Sequence, residues 1–173
     1  DIAFIVSHPI QYFAPLFKRI AQHEQINITV LYCSDENVEG WKDIEFNRKI
    51  RWDVPLLEGY KYKFLKNYSP SPTVWKSPFG LINPGVVSEI MKNDYSSIIV
   101  HGWNFVTFWI AYITCLLKGV PVFIRAESPL NLEALKPRWK RIAKKIMIKY
   151  LFKKFSFLAI GTENMEFYKY FDI

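Results

Sequence analysis

Short runs of β-branched and aromatic residues recur along the chain, and most of them precede a segment whose apolar residues return every three or four positions. The apolar runs predict six strands, at residues 2–6, 26–33, 60–65 (or 62–65), 97–101, 121–125 and 157–160. The periodic segments predict five helices, at residues 10–23, 84–93, 104–118, 137–155 and 163–170. Alternating strands and helices are typical of a doubly wound, Rossmann-like α/β domain, with helices on both faces of a mostly parallel sheet.

Helix boundaries and chain length agree with this fold. Asn83 and Pro84 predict the N-cap and first residue of the second helix, and Gly119 predicts the end of the third. The chain has 173 residues, of which 50% are apolar and 17% aromatic, so it can bury a substantial core. We therefore expect residues 1–173 to form a single domain.

Two long connections interrupt the alternation, at residues 34–59 and 67–83. Both are well above the roughly 2 to 6 residues usual between strands and helices, and loops of this size often carry function. Trp41, Trp52 and Trp75 lie in them. These tryptophans either line a binding surface or anchor the loops to the core.

Polar residues follow four of the predicted strands. In an open parallel sheet, ligands bind beyond the carboxyl ends of the strands. The residues at these ends are Ser7, His8, Gln11 and Tyr12; His101, Gly102 and Asn104; Arg125, Glu127 and Ser128; and Gly161, Thr162, Glu163 and Asn164. Histidine exchanges protons near neutral pH and arginine clamps anions, although a histidine in such a turn can equally be structural.

Several classes of site are disfavoured. No glycine occurs in the first 39 residues, which argues against a dinucleotide-binding loop. The sequence also lacks a GxSxG motif, which argues against a serine hydrolase. Cys33 and Cys115 form no CxxC motif and are predicted to be reduced core residues. The three histidines, His8, His23 and His101, show no metal-ligand spacing, so no metal site is predicted.

The positive charge of the chain belongs to one segment. Lysine and arginine number 23 against 16 acidic residues, but residues 136–154 hold nine basic residues and no acidic one, which leaves 14 basic and 16 acidic residues elsewhere. An apolar stripe runs along one side of this predicted helix, and Ile148 and Phe152 lie outside it among the lysines. The stripe consists of Leu135, Trp139, Ile142, Ala143, Ile146, Met147, Tyr150 and Leu151.

This basic helix has three interpretations. It is a core helix with a solvated face, a helix attracted to an anionic membrane surface, or a nucleic-acid contact. The third is disfavoured because no nucleic-acid-binding motif accompanies the charge, so we expect no nucleic-acid partner. On the membrane interpretation, Lys140, Arg141, Lys144 and Lys145 face the lipid. The longest apolar stretch, residues 103–117, is shorter than the ~20 residues that span a bilayer.

Six blocks of sequence resemble the N-terminal half of bacterial family-4 (group 1) glycosyltransferases, which have the glycosyltransferase B fold. They are HPIQYFAPLFKRIA from His8, INITVLYCSD from Ile26, WDVPLLEGYKYKFLKN from Trp52, IIVHGWN from Ile98, GVPVFIRAES from Gly119 and LAIGTENMEFYKYF from Leu158. The resemblance covers essentially the whole chain. It implies two Rossmann-like domains facing a cleft, of which the N-terminal one binds the acceptor and the C-terminal one binds a nucleotide-diphosphate sugar, with retention of configuration.

On this resemblance the chain is the acceptor-binding half alone. The donor domain of the family carries two glutamates separated by seven residues, and no such pair occurs in this sequence. We therefore expect no cofactor in this half and no transferase activity without the donor domain. The sequence departs from the family at residues 125–128, where relatives often carry a histidine, and in its first turn, which lacks the glycines of many relatives.

The expected function is surface polysaccharide or glycolipid synthesis at the cytoplasmic face of the cell membrane. Arg125 would contact a phosphate, His8 and His101 would orient acceptor hydroxyls, and Glu127 would serve as a base or positioning group. The expected partners are a sugar or a lipid-linked acceptor, and the C-terminal donor domain of the same protein. Two alternatives stay open: a membrane-docking or lipid-binding module, and half of a nucleotide-sugar epimerase of the same fold.

Overall fold

The computed structural model describes residues 1–36, 38, 40–43, 48–50, 52–75, 77–127 and 137–171. The strands in this part of the chain are β1 (Ile2–Val6), β2 (Ile28–Tyr32), β3 (Trp41–Asp43), β4 (Arg48–Ile50), β5 (Lys61–Phe64), β6 (Ser97–Val100), β7 (Val122–Ile124) and β8 (Ser156–Phe157). The helices are α1 (Phe13–Ala21), α2 (Gly85–Lys92), α3 (Val106–Lys118), α4 (Arg138–Leu151) and α5 (Gly161–Tyr170), with a short 3-10 turn at Pro78–Gly80.

Six strands form one parallel sheet in the order β5-β2-β1-β6-β7-β8. The central strand β1 pairs with a neighbour on each side, so that Ile2 lies opposite both Ile28 and Ser97. From β1 the chain continues to β2 on one side, and from β6 it continues to β7 on the other. This is the doubly wound order with a reversal between β1 and β6, and it confirms the predicted fold class.

Helices cover both faces of the sheet because the side chains of each strand alternate between two cores. Phe4 and Val6 of β1 belong to a smaller core with Phe13 and Phe17 of α1. Ala3 and Ile5 point the other way, into a larger core built with apolar residues of α2, α3, α4 and α5. Burial on both faces explains why the central strands β1, β2 and β6 are almost continuously apolar, whereas the edge strand β5 is exposed and carries two lysines.

The ends of several elements differ from the sequence predictions. Helix α1 begins at Phe13 rather than at residue 10, because residues 8–12 form a turn in which the Phe13 N–H donates to the Ile10 carbonyl (3.0 Å). The last strand covers only Ser156–Phe157, and α5 begins at Gly161 rather than at residue 163. The connection at residues 34–59 contains an antiparallel pair of strands, β3 with β4, that the hydrophobic pattern did not predict.

Gly119 ends α3 as predicted. Its φ is +79°, in the left-handed region that favours glycine, and its N–H donates to the Cys115 carbonyl at 2.8 Å. Cys33 and Cys115 are buried free thiols, which confirms their placement in the core. Burial raises the pKa of both, that of Cys115 to about 12.

Asn83 does not cap α2, so that prediction is wrong. The N-cap of α2 is Pro84, and no side chain caps the helix. The Asn83 amide is fully buried and donates instead to the carbonyls of Cys33 and Leu65, both at 2.8 Å. Its N–H donates to the Thr107 hydroxyl (2.9 Å), and its side-chain oxygen lies 2.8 Å from the same hydroxyl. One side chain therefore ties together the segments after β2 and β5 and the start of α3.

The apolar stripe of helix α4 does not face the sheet; another side of the helix packs there. Ile148 and Phe152, which lie outside the stripe, are 2% and 1% exposed and belong to the larger core. The described stripe side chains face outward: Trp139, Ile142, Ala143, Ile146 and Tyr150 are all exposed. Leu135 and the side chains of Met147 and Leu151 lie outside the described part of the chain.

We expect Asn83→Ala to destabilise the protein strongly. The change removes the donor of two buried carbonyls, those of Cys33 and Leu65, and each unpaired buried polar group costs about 1 to 3 kcal/mol. Urea unfolding followed by circular dichroism should show a loss of at least about 2 kcal/mol. Asn93→Ala is the matched control, because the exposed Asn93 amide donates to the Glu89 carbonyl of α2 and, among the described residues, to no other group. Equal midpoints for the two variants would contradict the role assigned to Asn83.

Candidate functional site

A cavity of about 320 Å³ opens at the reversal point of the sheet, and we call it the switch-point cavity. Its walls are the segments that follow β1, β6 and β7. The lining residues are Val6, Ser7, Ile10, Tyr12, Phe13, His101, Gly102, Trp103, Asn104, Arg125, Ala126 and Glu127. Parallel pairing brings the carboxyl ends of these three strands to one edge, so residues about 120 positions apart share one cavity.

His101 lies at the apolar side of the switch-point cavity. Its N–H continues the ladder to the Ile5 carbonyl (2.9 Å), and its ring packs edge-on against Phe13 with centroids 4.5 Å apart. Burial, reinforced by the charge of Arg125, lowers the pKa of His101 to about 3. The ring is therefore neutral at pH 7, and the expectation that it exchanges protons near neutral pH does not hold.

Neither ring nitrogen of His101 has a hydrogen-bond partner among the described residues, although both are buried. A buried polar atom without a partner costs free energy, and functional sites are where such atoms are tolerated. A neutral imidazole can donate through one nitrogen and accept through the other. His101 is thus suited to orient a hydroxyl group of a ligand.

Arg125 supplies the positive charge of the cavity. Its guanidinium lies over the ring of Phe13, with Cζ 4.5 Å from the ring centroid, and the side chain is 19% exposed. The distance from Nη1 to Oε1 of Glu127 is 3.7 Å, too long for a hydrogen bond, and the Glu127 side chain is 53% exposed. Burial lowers the pKa of Arg125, while Glu127 opposes that effect. A half-buried guanidinium with so loose a partner has donors available for an anion.

Helix α5 holds the Arg125–Glu127 segment in place. The Ala126 carbonyl accepts hydrogen bonds from the Asn164 amide (2.8 Å) and the Tyr168 hydroxyl (3.2 Å), and the Arg125 N–H donates to the Val100 carbonyl (3.0 Å). The Asn164 side-chain oxygen also accepts from the Ile160 N–H (3.0 Å). Asn164 and Tyr168 are therefore positioning residues, a role that the sequence pattern indicated for neither.

Gly102 allows the chain to turn at the mouth of the cavity. Its φ is +108°, and a Cβ at this position would lie 3.1 Å from the Asn104 side-chain oxygen. The Tyr112 hydroxyl donates to the Gly102 carbonyl, and Nε1 of Trp109 donates to the Trp103 carbonyl at 2.8 Å. Two aromatic residues of α3 thus fix the loop that follows β6.

A second cavity, of about 260 Å³, lies on the other side of the turn at residues 8–12. It is lined by this turn together with Trp52 and Trp75, and we call it the aromatic cavity. Ile10 and Tyr12 line both cavities, so the two are adjacent. Burial raises the pKa of Tyr12, as does the nearby Glu127 carboxylate.

His8 belongs to the aromatic cavity rather than to the switch-point cavity. It is 8% exposed, its Nδ1 lies 3.0 Å from the Ser7 hydroxyl, and its ring centroid is 5.8 Å from that of Trp75. Burial lowers its pKa to about 4, so it too is neutral at pH 7.

The structure brings most of the predicted site residues together, with clear exceptions. His101, Gly102, Asn104, Arg125 and Glu127 line the switch-point cavity, and His8, Gln11 and Tyr12 line the aromatic cavity. Gly161, Thr162 and Glu163 are exposed and line neither cavity. Ser128 and the side chain of Trp41 lie outside the described residues.

The described chain holds no group of three histidine, cysteine or acidic side chains that could bind a metal. Comparison of the sequence with protein-family models and with curated proteins gives no match. The described part of the site offers four features for binding and chemistry. These are one cation beside an exposed carboxylate, two neutral histidines, and an aromatic cavity next to a polar one.

The pH dependence of stability tests the burial of His101. In the unfolded chain a histidine takes up its proton near pH 6.5, whereas folded His101 does so only near pH 3. Between these values the unfolded state binds more protons, so the free energy of unfolding decreases as pH falls, by up to about 1.4 kcal/mol per pH unit for each such histidine.

We expect His101→Phe to make this decrease shallower between about pH 6 and pH 4, while His8 still contributes its own share. Above about pH 6.5 the stability curves of variant and parent should run parallel. Urea unfolding at a series of pH values measures the slope, and His23→Phe at the exposed end of α1 is the control for loss of a histidine. An unchanged slope in His101→Phe would contradict the neutral buried state.

Proposed function

We propose that this chain is the acceptor-binding half of a retaining, nucleotide-sugar-dependent glycosyltransferase of the B fold, acting in surface polysaccharide or glycolipid synthesis. The observation that carries the proposal is the convergence of Arg125, Glu127 and His101 at the reversal point of the sheet. The sheet order and the sequence blocks that resemble the family support it.

Each of the three residues has a distinct role on this proposal. Arg125 binds a phosphate, either of the donor or of a lipid-linked acceptor, through its fork of N–H donors. His101 remains neutral and hydrogen-bonds an acceptor hydroxyl. Glu127 presents an exposed carboxylate at the rim, within reach of solvent and of a second domain, where it accepts or orients the hydroxyl proton.

A second domain is required for transfer on this proposal, because the donor nucleotide is bound there. Nucleotide-sugar epimerases of the same fold would use this half in a similar way. The two activities differ in their products: a transferase releases a nucleoside diphosphate and forms a glycoside, whereas an epimerase changes the sugar. The assay therefore has to follow both products.

The test uses the full-length protein encoded by the native gene, with a set of uridine and guanosine diphosphate sugars and glycoside acceptors. We expect Arg125→Ala to lower kcat/KM by about a hundredfold, because a charge-assisted bidentate contact is lost. Arg125→Lys should lose less, since it keeps the charge but not the fork. Arg19→Ala, on the exposed last turn of α1, is the control.

Three results would count against the proposal. They are unchanged kinetics in Arg125→Ala, a change of sugar configuration without nucleoside diphosphate release, and a native reading frame without a second α/β domain.

A second function, attachment to an anionic membrane, is favoured by the orientation of α4. Trp139, Ile142, Ile146 and Tyr150 are 67%, 51%, 55% and 71% exposed, so an amphipathic helix turns its apolar stripe outward. A helix that combines such a stripe with many lysines is typical of peripheral membrane binding, in which apolar side chains enter the interface. No helix of the described residues is long and apolar enough to span a bilayer.

Cationic side chains flank the exposed stripe. Arg138, Arg141 and Lys145 line a shallow depression of about 420 Å³ together with Tyr170. The Arg141 Nε is buried and has no partner in the described part of the chain. A lipid phosphate would satisfy it.

Lys144 is the exception among the lysines expected to face lipid. It is half-buried, and its Nζ lies over the rings of Trp103 and Phe167, 5.3 and 4.6 Å from their centroids.

On this proposal α4 attaches the protein to the inner face of the cell membrane.

Sedimentation with lipid vesicles tests this attachment. We expect binding to vesicles of phosphatidylcholine and phosphatidylglycerol, with weakening at high salt. The combined change of Lys140, Arg141 and Lys145 to Glu should reduce binding roughly a hundredfold or more, since each basic residue contributes about 1 kcal/mol.

The matched control is a variant in which three exposed residues away from α4, namely Arg19, Lys61 and Lys92, are changed to Glu. This variant has the same change in net charge. An equal loss in the control would show that overall charge, and not α4, attracts the protein. No binding of the parent protein would refute the attachment.

A further inference from the structure

The aromatic cavity differs in chemistry from its neighbour. Four flat side chains surround it, those of His8, Tyr12, Trp52 and Trp75, and none of its lining residues is charged at pH 7. The switch-point cavity, by contrast, holds Arg125 and Glu127. A ligand group in the aromatic cavity therefore meets no charged side chain among the lining residues, and the hydrogen-bonding and stacking surfaces of the cavity decide what it binds.

The size and ring geometry of the cavity restrict this group further. A volume of about 260 Å³ is below the roughly 300 to 1,000 Å³ of sites for larger organic ligands, so it accommodates about one ring. The rings of His8 and Trp75 are inclined by 57°, which does not provide the parallel plates that sandwich a nucleobase. A pyranose ring presents C–H groups on its faces and hydroxyls around its edge, and C–H groups are attracted to the negative face of an aromatic ring at varied inclinations.

Two polar atoms are available to such hydroxyls. The Trp52 Nε1 is buried, and it has no hydrogen-bond partner within the described ranges. Leaving a buried N–H without an acceptor costs free energy that a ligand oxygen would recover. His8 uses Nδ1 toward the Ser7 hydroxyl, which leaves Nε2 without a partner among the described residues.

Trp75 is held in place despite being 67% exposed. Its Nε1 donates to Oε1 of Glu36 (3.1 Å), and its backbone N–H donates to the Thr73 hydroxyl (3.2 Å). A large apolar ring fixed in an exposed position is a preformed contact surface, because little side-chain entropy is lost when a ligand covers it.

We infer that the aromatic cavity binds one pyranose ring of the acceptor, stacked on Trp75 and hydrogen-bonded to Trp52. This inference rests on the proposed function only in naming the ring as part of the acceptor. The two cavities share Ile10 and Tyr12, so a ring bound here lies directly beside the cavity of Arg125 and Glu127. The acceptor is accordingly a glycoside rather than a sugar-free lipid.

Binding of small sugars to this chain tests the inference without any transfer reaction. The probes are the methyl pyranosides of glucose, galactose, mannose and N-acetylglucosamine, with uridine and guanosine for comparison. Saturation-transfer NMR and tryptophan fluorescence should show at least one pyranoside binding with a Kd of roughly 1 to 10 mM, as expected for a single ring. Binding of a nucleoside in preference to every pyranoside, or no pyranoside binding at all, would overturn the inference.

Two substitutions locate the site. Trp75→Leu should weaken binding of the pyranoside at least about tenfold, and Trp52→Phe should do so by a similar factor, since it keeps a ring but removes the N–H donor. Phe79→Leu is the matched control, because Phe79 is comparably exposed, at 65%, but lines neither cavity. Equal affinities in the parent and Trp75→Leu would place the sugar elsewhere and refute the inference.

The outcomes also separate this inference from the proposed function. Sugar binding that depends on Trp75, in a full-length protein without transferase activity, would leave the sugar site standing and remove the transferase. If the full-length protein is a transferase and its KM for the acceptor is unchanged in Trp75→Leu, the proposed function stands and the sugar site in the aromatic cavity is refuted.

Discussion

Parallel pairing of β1 with both β2 and β6 is the constraint on which the rest of the molecule depends. It places the carboxyl ends of the strands along one edge of the sheet. The chain leaves β1 and β6 in opposite directions, so the segments that follow these strands diverge and leave a cavity between them. The backbone ladder continues one residue beyond the strands, from His101 to Ile5 and from Arg125 to Val100, and this fixes the start of each cavity wall.

Polar groups at this edge are maintained at a cost in stability. Both His101 nitrogens and the Trp52 Nε1 are buried and have no partner within the described part of the chain. Asn83 and Thr107, in the interior, have hydrogen-bond partners for their side chains. A buried side chain with its hydrogen bonds made is structural, whereas unpartnered buried atoms at the edge of the sheet are typical of a site that binds a ligand.

Hydrophobic periodicity predicted the six sheet strands and the edge where polar residues collect, because burial on both faces of a parallel sheet leaves a continuous apolar run. It could not predict which side of α4 packs inward. A period identifies a stripe, but Ile148 and Phe152 fill the core, and the contacts that decide this come from distant residues such as Trp109 and Tyr112. Local signals also failed at Asn83, where an apparent capping residue is used for long-range hydrogen bonds.

The inverted packing of α4 links the proposed membrane surface to the site. Phe152 stacks on Trp109 with centroids 5.3 Å apart, and Trp103, which lines the switch-point cavity, contacts both Phe152 and the Lys144 ammonium. The same helix therefore presents its apolar stripe outward and supports one wall of the cavity with its inner side. Because these contacts are close-packed aromatic ones, the angle between helix and cavity is set by the core. A lipid surface bound to α4 would then have a defined orientation relative to Arg125 and the switch-point cavity.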